Sequence, residues 1–334
     1  MRITAVIISL VLFSNLAFAI TEITPYKFSD DEYNSKKFPK YSIPDESTFS
    51  IARNQKDKPD VIYYFSKPKQ QQAFPITILC GGSEKKEGIA SIIHFHRYFL
   101  KEFLDLGSGL ITVERLGVSG DQVNEEEFIN HYTRSQRLID HKTVINHLIE
   151  NPPVGWNGKF IFVGVSEGGP LVTALTAKYA NITLATVNWS GAGDWNWREE
   201  LWAFLQGLSD EVLLSIPPDI YLPRTKEEFD EIMNQTLADP KPTKEFMGMS
   251  YMYHADSLNW PKTPYMHITT PYLVVAGEND ALIDSIDAFV KKAVEAGVQV
   301  SYLRVSNMDH YVRKREDILV KSFEWLRKFI NHSP

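Results

Sequence analysis

The chain has 334 residues, a formal net charge of −7 at neutral pH and 43% hydrophobic residues. This composition excludes a disordered or collagen-like chain, and the mild excess of acidic residues gives no electrostatic reason to expect nucleic-acid binding. The length fits one large α/β domain or two smaller ones, and the single cysteine, Cys80, excludes an intramolecular disulfide.

The first 19 residues have the pattern of a secretory signal peptide. Arg2 gives a basic start, residues 3–13 are mostly apolar, and Ala17, Phe18 and Ala19 fit the small-x-small cleavage pattern. The alternative is an uncleaved anchor, but the apolar run is short for a spanning helix of roughly 20 residues. We therefore expect cleavage after Ala19 and export to the periplasm or the medium, with no stable membrane span in the mature chain.

Residues 20–59 are rich in Lys, Asp, Ser and Pro, and we expect an irregular arm on the surface or over a sheet edge. From residue 60 onward, short apolar runs rich in β-branched and aromatic residues predict strands: DVIYYFS, FPITILC, GLITVE, KFIFVG, ITLATVNW, PYLVVAG and VSYLRVS. Helical spacing predicts helices at 88–106, 134–149, 169–180, 283–296 and 318–330. Strands that are apolar on both faces and alternate with helices indicate an α/β fold with a mostly parallel sheet covered on both sides.

Ser166 lies in the sequence GVSEGG, between a predicted strand that ends at Gly164 and a predicted helix that follows Gly169. A strand, a sharp turn and a helix form the context that a G-x-S-x-G nucleophile motif requires. Pro170 fits the first turn of that helix, where a backbone N–H lacks a partner. We predict that Ser166 is a catalytic nucleophile; the alternative is a structural turn.

A serine nucleophile requires a histidine base and an acid that orients it, here expected in the chain order serine, acid, histidine. Only His310 and His332 follow the last predicted strand, and His332 is two residues from the end, so we predict His310 as the base. Asp280 leaves the preceding strand before the next helix, and we predict it as the acid. Its alternative role is a helix N-cap. The other acids near this position are Glu278, Asp284 and Asp287, while Asp309 is expected to be a loop residue.

The oxyanion formed by serine attack requires two N–H donors. We expect one from the backbone of Glu167 and the other from the loop after FPITILC, with Gly82 as the first choice and Ser83 as the second. The alternative for Gly81 and Gly82 is an ordinary turn between a strand and a helix.

These segments resemble the α/β-hydrolase family over roughly residues 60–330. The resemblance rests on CGGS, ERLGVSG, GVSEGG, GEND and MDH. ERLGVSG is similar to the family stretch D-x-R-G-x-G-x-S, but it has Glu114 at the acid position and Leu116 at the glycine position, and Cys80 replaces a usual histidine. The S-E-G-G elbow is similar to secreted esterases and to the serine-aminopeptidase and prolyl-oligopeptidase-like branches. The resemblance implies two-step acyl transfer to water without a cofactor or metal.

Residues 194–268 interrupt the predicted core, which comprises residues 60–193 and 269–334. This insertion is longer than a simple crossover and is rich in aromatic residues, so we interpret it as a helical cap over the active site. Each aromatic residue on its own has an ordinary packing role as the alternative. We expect the cap to bind substrate through Trp195 and Trp197, and through Glu199 and Glu200, which could bind a free amino group. The alternative for the two glutamates is a solvated surface patch.

Three functions remain open from the sequence. The first is an exported carboxylic ester hydrolase that acts on small-molecule or lipid-like esters with apolar acyl or alkyl groups. The second is an aminopeptidase-like enzyme of the same fold, in which Glu199 or Glu200 anchors the N-terminus of a short peptide. The third is a catalytically inactive binding module, which the ordered presence of Ser166, Asp280 and His310 disfavours.

Overall fold

A computed structural model of the protein describes residues 47–53, 55–56, 58–69, 73–83, 91–120, 122–191, 193–208 and 221–330. The predicted signal peptide, most of the predicted arm and His332 lie outside the described residues.

The described residues contain twelve strands and nine α-helices. The strands are β1 (Thr48–Ile51), β2 (Val61–Ser66), β3 (Phe74–Cys80), β4 (Gly109–Val113), β5 (Val118–Ser119), β6 (Gln122–Val123), β7 (Trp156–Val165), β8 (Thr183–Trp189), β9 (Glu245–Phe246), β10 (Met249–Ser250), β11 (Tyr272–Gly277) and β12 (Val300–Val305). The helices are α1 (Ile93–Asp105), α2 (Glu125–His131), α3 (Arg134–Glu150), α4 (Gly168–Lys178), α5 (Trp197–Gln206), α6 (Lys226–Ala238), α7 (Tyr251–Leu258), α8 (Ile283–Glu295) and α9 (Glu316–Ile330).

Eight of these strands form one sheet in the order β1-β2-β4-β3-β7-β8-β11-β12. Within this described sheet, β1 with β2 and β2 with β4 pair antiparallel, and the other neighbouring strands pair in parallel. The predicted α/β fold with a mostly parallel sheet is therefore confirmed. The carboxyl ends of parallel strands lie at one edge of a sheet, so the loops after β3, β7, β11 and β12 meet there.

Apolar side chains pack on both faces of the sheet, as the continuous apolar strands predict. One face is covered by α1 and α9, whose Phe99, Phe103 and Phe323 pack against Val163 and Trp189 of the sheet. The other face is covered by α3 and α4, which pack against strand residues such as Ile78 and Phe162. The central strands of the sheet are thus buried on both faces, and they carry the loops at its carboxyl edge.

Part of the segment expected to be an irregular arm forms a strand instead. β1 pairs antiparallel with β2 at the sheet edge, and the ring of Phe49 stacks on that of Tyr63 with centroids 5.2 Å apart. Three of the four β1 residues are exposed. The sequence does not predict this strand because its pairing partner, rather than an apolar pattern of its own, stabilises it.

The segment predicted as a cap contains α5, α6, α7 and a short hairpin formed by β9 and β10, which have two residues each. These elements share a small apolar core, which consists mainly of Leu201, Leu205, Phe229, Met233 and Phe246. α7 also packs against α3. Within the described residues, no helix has the length and apolar character needed to cross a membrane.

Candidate active site

Ser166 occupies a sharp turn between β7 and α4. Its backbone φ is 52°, which an L-residue with a side chain rarely adopts, and Gly169 N–H donates to the Ser166 carbonyl at 2.8 Å. The flanking glycines permit the turn: a Cβ at Gly164 would lie 2.4 Å from the Gly168 carbonyl oxygen, and a Cβ at Gly168 would lie 2.1 Å from the Cys80 carbonyl oxygen. The GVSEGG sequence therefore folds as a nucleophile elbow would require.

His310 lies between Ser166 and Asp280 and contacts both. Its Nε2 is 2.9 Å from Ser166 Oγ, and its Nδ1 is 2.9 Å from Asp280 Oδ2. The Asp280 side chain is 1% exposed and that of His310 is 21% exposed. In this arrangement the imidazole Nδ1–H donates to the carboxylate, and Nε2 accepts from the serine hydroxyl.

The loops that carry Asp280 and His310 are held together by their backbones. Asn279 N–H donates to the Met308 carbonyl at 3.0 Å, and Glu278 N–H donates to the Val305 carbonyl at 2.9 Å. At the end of β11, a Cβ on Gly277 would lie only 2.0 Å from the Met308 carbonyl oxygen, so this position requires glycine. The spacing between acid and base is therefore set by main-chain contacts.

Asp280 also binds the backbone just before α8. Its Oδ1 accepts from Leu282 N–H at 3.0 Å while Oδ2 faces His310. The alternative role of helix N-cap is not observed for Asp280, because Leu282 occupies the N-cap position of α8 and this helix has no side-chain cap.

The other acids considered near the site face elsewhere. Glu278 forms an ion pair with Arg304, and Asp287 accepts from the Tyr302 hydroxyl at 2.5 Å. Asp284 is exposed on α8. Asp309 accepts from Tyr311 N–H at 2.8 Å, as a loop residue would. In the described part of the chain, Asp280 is thus the carboxylate hydrogen-bonded to His310.

Gly82 and Ser83 lie beside Ser166. A Cβ at Gly82 would be 3.4 Å from Ser166 Cβ and 3.8 Å from Ser166 Oγ, and Ser83 lines the same chamber as Ser166. Glu167 directly precedes α4, where backbone N–H groups point out of the helix end. The three predicted oxyanion residues are therefore adjacent to the serine.

One arginine connects the loop after β3 with the residue after the serine. Arg137 donates to the Gly81 carbonyl at 2.6 Å and to Glu167 Oε1 at 2.6 Å, with a longer contact of 3.3 Å to the Gly82 carbonyl. Arg115 also donates to the Gly82 carbonyl, at 2.8 Å. These bonds hold the carbonyl groups of the loop toward the arginines.

The Glu167 side chain is buried but remains a carboxylate. Burial would raise the pKa of Glu167, but Arg137 and Arg134 lower it below its usual value. The Tyr253 hydroxyl of the cap donates to the second oxygen, Glu167 Oε2. Glu167 therefore joins the cap to the sheet domain directly next to the serine.

A chamber of about 120 Å³ opens onto Ser166 and His310. Six of the eleven other lining residues are apolar, five of them in the cap, and the polar ones include Arg134, Glu200 and His254. The apolar lining residues are Trp197, Leu201, Phe204, Met247, Met249 and Leu282. A larger cavity of about 720 Å³ adjoins it, and Arg134, Trp197 and Glu200 line both cavities.

The four predicted substrate-binding residues have different environments. Trp197 and Glu200 line the chamber that contains Ser166, whereas Trp195 and Glu199 line only the larger cavity. Glu200 is 2% exposed, and its Oε1 accepts from Gly193 N–H and Ser285 Oγ, each at 2.9 Å. Burial raises the pKa of Glu200 to about 7, against the opposing effect of Arg134. Glu199 is exposed and closes a capping box with Asn196.

His254 fixes the position of Trp197 in the chamber wall. Trp197 Nε1–H donates to His254 Nδ1 at 3.1 Å, so His254 Nε2 carries the proton and donates to the Phe246 carbonyl at 2.9 Å. Burial lowers the pKa of His254 to about 4. The imidazole is therefore neutral at physiological pH and acts as a fixed link within the cap.

Sequence reasoning missed Arg134 and Arg137, which lie on adjacent turns of α3 near the site. The signal that could have identified them is two arginines three residues apart on a helix that the apolar pattern places against the sheet. Both are buried, at 3% and 5% exposure. Within the described ranges, no three His, Cys, Asp or Glu side chains cluster as metal ligands would.

Comparisons with known proteins agree with this architecture. The sequence model of a protein family described as having the alpha/beta hydrolase fold matches residues 137–313, just over half of the chain. No curated protein matches the chain.

Among solved structures, the chain is similar to a highly thermostable carboxyl esterase from Bacillus coagulans, with 15% identity, a TM-score of 0.57, and coverage of 85% of this chain and 97% of that chain. It is similar to an esterase from Pyrobaculum calidifontis, with 14% identity, a TM-score of 0.55, and coverage of 88% and 86%. It is also similar to a candidate dipeptidyl aminopeptidase IV from Bacteroides ovatus, with 15% identity, a TM-score of 0.53, and coverage of 86% of this chain but 35% of that chain. At these identities the likeness shows the fold.

Proposed function

Because this chain is a member of the α/β hydrolase family, we propose that it is a serine carboxylic ester hydrolase whose catalytic residues are Ser166, His310 and Asp280. One observation carries the proposal. The hydrogen-bonded series from Asp280 through His310 to Ser166 ends at a chamber that is lined mostly by apolar side chains. Such a chamber suits a neutral acyl or alkyl group beside an activated serine.

In the proposed first step, Ser166 Oγ attacks the ester carbonyl carbon while His310 Nε2 takes the hydroxyl proton. Asp280 holds the resulting imidazolium in place through Nδ1–H. The oxyanion accepts from the Glu167 backbone N–H and from that of Gly82 or Ser83, and one such donor is typically worth roughly 10²–10³ in rate. His310 then gives its proton to the leaving alkoxide, and the alcohol departs from an acyl-serine.

In the second step, water replaces the alcohol. His310 Nε2 takes a proton from water as the water oxygen attacks the acyl carbon, and it returns that proton to Ser166 Oγ when the acid leaves. The net reaction consumes one ester and one water and yields an acid and an alcohol. The side chains named supply each proton transfer, so the steps require neither a redox partner nor a cofactor.

A serine aminopeptidase-like activity is the second candidate. It is favoured by the buried carboxyl of Glu200, which lines the chamber that contains Ser166 and could accept a substrate ammonium group. We place it second because Glu200 Oε1 already accepts two hydrogen bonds and because burial raises the pKa of Glu200 to about 7, so its negative charge is incomplete near neutral pH.

The test compares kcat/KM for 4-nitrophenyl esters of increasing acyl length with kcat/KM for aminoacyl 4-nitroanilides. For an ester hydrolase, each CH₂ added to the acyl chain contributes at most about 0.8 kcal/mol of binding free energy until the chamber is full. The value of kcat/KM should therefore rise with acyl length and then level off. Glu200→Gln should then spare the esters. If the enzyme is a peptidase, Glu200→Gln abolishes anilide turnover, while Glu199→Gln, its exposed neighbour, serves as the matched control.

We also propose that the enzyme is exported after removal of its first 19 residues. The basic start, the short apolar run and the Ala17-Phe18-Ala19 site support this. Sequencing the N-terminus of the protein from the source organism tests it. A mature chain that starts at Ile20 in the exported fraction is expected, and an intact Met1 in the cytoplasmic fraction would contradict export.

A further inference from the structure

The wall between the two cavities contains a buried guanidinium that the proposed reaction does not use. Arg134 is the first residue of α3, is 3% exposed, and lines both the chamber with Ser166 and the larger cavity beside it. An arginine side chain keeps its positive charge in any protein environment. A permanent cation therefore lies beside the proposed site of ester cleavage.

The charge of Arg134 lacks a direct counter-ion in the described part of the chain. No carboxylate there forms an ion pair with its guanidinium within 4.0 Å, and Arg134 Nε has no hydrogen-bond partner. The guanidinium carbon lies 4.4 Å from the centroid of the Trp197 ring, and the Tyr253 hydroxyl accepts a hydrogen bond from it. Burial disfavours this charge, but Tyr253, Glu167 and Glu200 together raise the pKa of Arg134. The two carboxylates act from beyond ion-pair distance, so an anionic ligand could still form the direct ion pair that Arg134 lacks.

The two nearest acids are already bound to other groups. Glu167 accepts from Arg137 and from Tyr253. Glu200 Oε1 accepts from Gly193 N–H and from Ser285, and burial raises the pKa of Glu200 to about 7. Both acids interact with Arg134 through their charge, but their direct hydrogen bonds are made to other groups.

The surroundings of Arg134 strengthen its attraction for an anion. Apart from Glu200 and His254, the cap residues that line the chamber are apolar, and they include Leu201, Phe204, Met247 and Met249. These apolar side chains offer no polar groups that could bind an anion in place of Arg134. A charge-assisted hydrogen bond also gains strength where water is excluded. A ligand with an apolar chain and a terminal carboxylate could pack its chain against the apolar wall and pair its carboxylate with the guanidinium of Arg134.

We propose that Arg134 binds a carboxylate of the substrate, so that the preferred esters carry one free acid group on an apolar chain. The statement about esters rests on the proposed hydrolase activity, but the binding of a carboxylate at Arg134 does not. The free acid lies either on the acyl part, as in the monoester of a dicarboxylic acid, or on the alcohol part. Arg134 acts here as a specificity-determining residue and takes no part in bond cleavage.

The kinetic test uses pairs of substrates with the same shape and different charge. Monoethyl adipate and ethyl adipamate carry the carboxylate or its neutral amide on the acyl side. 4-Acetoxybutanoate and 4-acetoxybutanamide carry the same groups on the alcohol side. In one of the two pairs, the wild type should show kcat/KM roughly ten- to a hundredfold higher for the acid, the range for one hydrogen bond to a charged group. Equal values in both pairs would overturn the proposal.

Variants test whether Arg134 is the source of the preference for the acid over its amide. Arg134→Met keeps an apolar stem and should reduce the ratio of kcat/KM for the acid to kcat/KM for its amide to about one, whatever the variant's turnover of the amide, and Arg134→Lys should restore part of that ratio. Arg198→Met is the matched control, because Arg198 is a half-exposed cap arginine paired with Asp230 and lines neither cavity. An acid preference that survives in Arg134→Met would assign the preference to another group.

Direct binding separates this inference from the hydrolase proposal. Ser166→Ala is titrated by calorimetry with both members of each pair, and the acid of one pair should bind roughly ten- to a hundredfold more tightly than its amide. Adding Arg134→Met should abolish the difference. If the wild type cleaves no ester but this difference is present, the hydrolase proposal fails and the carboxylate site stands. If esters are cleaved and neither acid binds more tightly than its amide, the carboxylate site fails and the hydrolase proposal stands.

Discussion

Arg137 donates at 2.6 Å to Glu167, the residue that follows Ser166, and at 2.6 Å to the Gly81 carbonyl of the loop after β3. The two segments proposed to supply the oxyanion donors are thus held by one buried guanidinium. Because Glu167 also accepts from Tyr253, the same residue links the cap to the elbow. Arg137 is therefore a positioning residue for the proposed oxyanion hole, although it does not line the chamber.

Replacing Arg137 should reduce both stability and turnover. Arg137→Met leaves Glu167 as a buried carboxylate without its direct ion pair, which is expected to cost about 3–5 kcal/mol of unfolding free energy. Denaturant unfolding of Arg137→Met, Glu167→Gln and the double variant gives the coupling between the two residues, which should reach about 0.5–3 kcal/mol. Among variants that fold, a fall in kcat with little change in KM is expected. Additive stability losses together with an unchanged kcat would contradict the positioning role.

Ser166→Ala should remove turnover and leave the fold intact. The hydroxyl is the proposed nucleophile, and by analogy with other triads its loss costs roughly 10⁶ in kcat. A fluorophosphonate probe should label the wild type and not the variant. Ser119→Ala, at an exposed position in β5, is the control and should be labelled normally. Undiminished turnover in Ser166→Ala would remove this serine from the mechanism.

Asp280→Asn should separate the two contacts of this side chain. The amide oxygen can still accept from Leu282 N–H, so the turn that precedes α8 should keep its stability. The amide cannot stabilise the charged imidazole of His310, and kcat should fall by about 10⁴. Glu278→Gln is the control, since Glu278 pairs with Arg304. Normal activity in Asp280→Asn, with a large loss in Glu278→Gln, would transfer the acid role to Glu278.

Glu200 should make stability depend on pH. Its folded-state pKa of about 7 lies above the usual 4.5, so between these values the folded protein keeps a proton that the unfolded chain releases. The stability contributed by neutral Glu200 is therefore fully present below pH 4.5 and is lost as the pH rises to 7, by about 3 kcal/mol.

Glu200→Gln removes this titration while keeping an oxygen for Gly193 N–H and Ser285. The unfolding free energy of the variant, relative to that of the wild type, should thus rise between pH 5 and pH 8. Glu199→Gln, on the exposed side of α5, should show no such rise. A difference between Glu200→Gln and the wild type that stays constant with pH would refute the raised pKa.

The sheet and its helices were predictable because strands that are buried on both faces appear in the sequence as short continuous apolar runs, as in residues 159–164. The proximity of Ser166, Asp280 and His310 was predictable for a related reason: each follows a predicted strand, and the carboxyl ends of parallel strands lie at one edge of the sheet. The contacts of Arg137 were not, because they join residues 30 to 56 positions apart. Glu199 and Glu200 are adjacent identical residues, and only the packing of α5 shows that one is exposed and the other buried.

The central claim, that Ser166 forms an acyl-enzyme, is tested most directly by trapping that intermediate. The wild type is mixed with a short-chain 4-nitrophenyl ester, quenched in acid within the first turnover, digested and analysed by mass spectrometry. The account predicts that the peptide containing Ser166 gains the mass of the acyl group, and that His310→Ala forms this adduct far more slowly. Rapid turnover of the ester with the acyl group found on another residue would contradict the account.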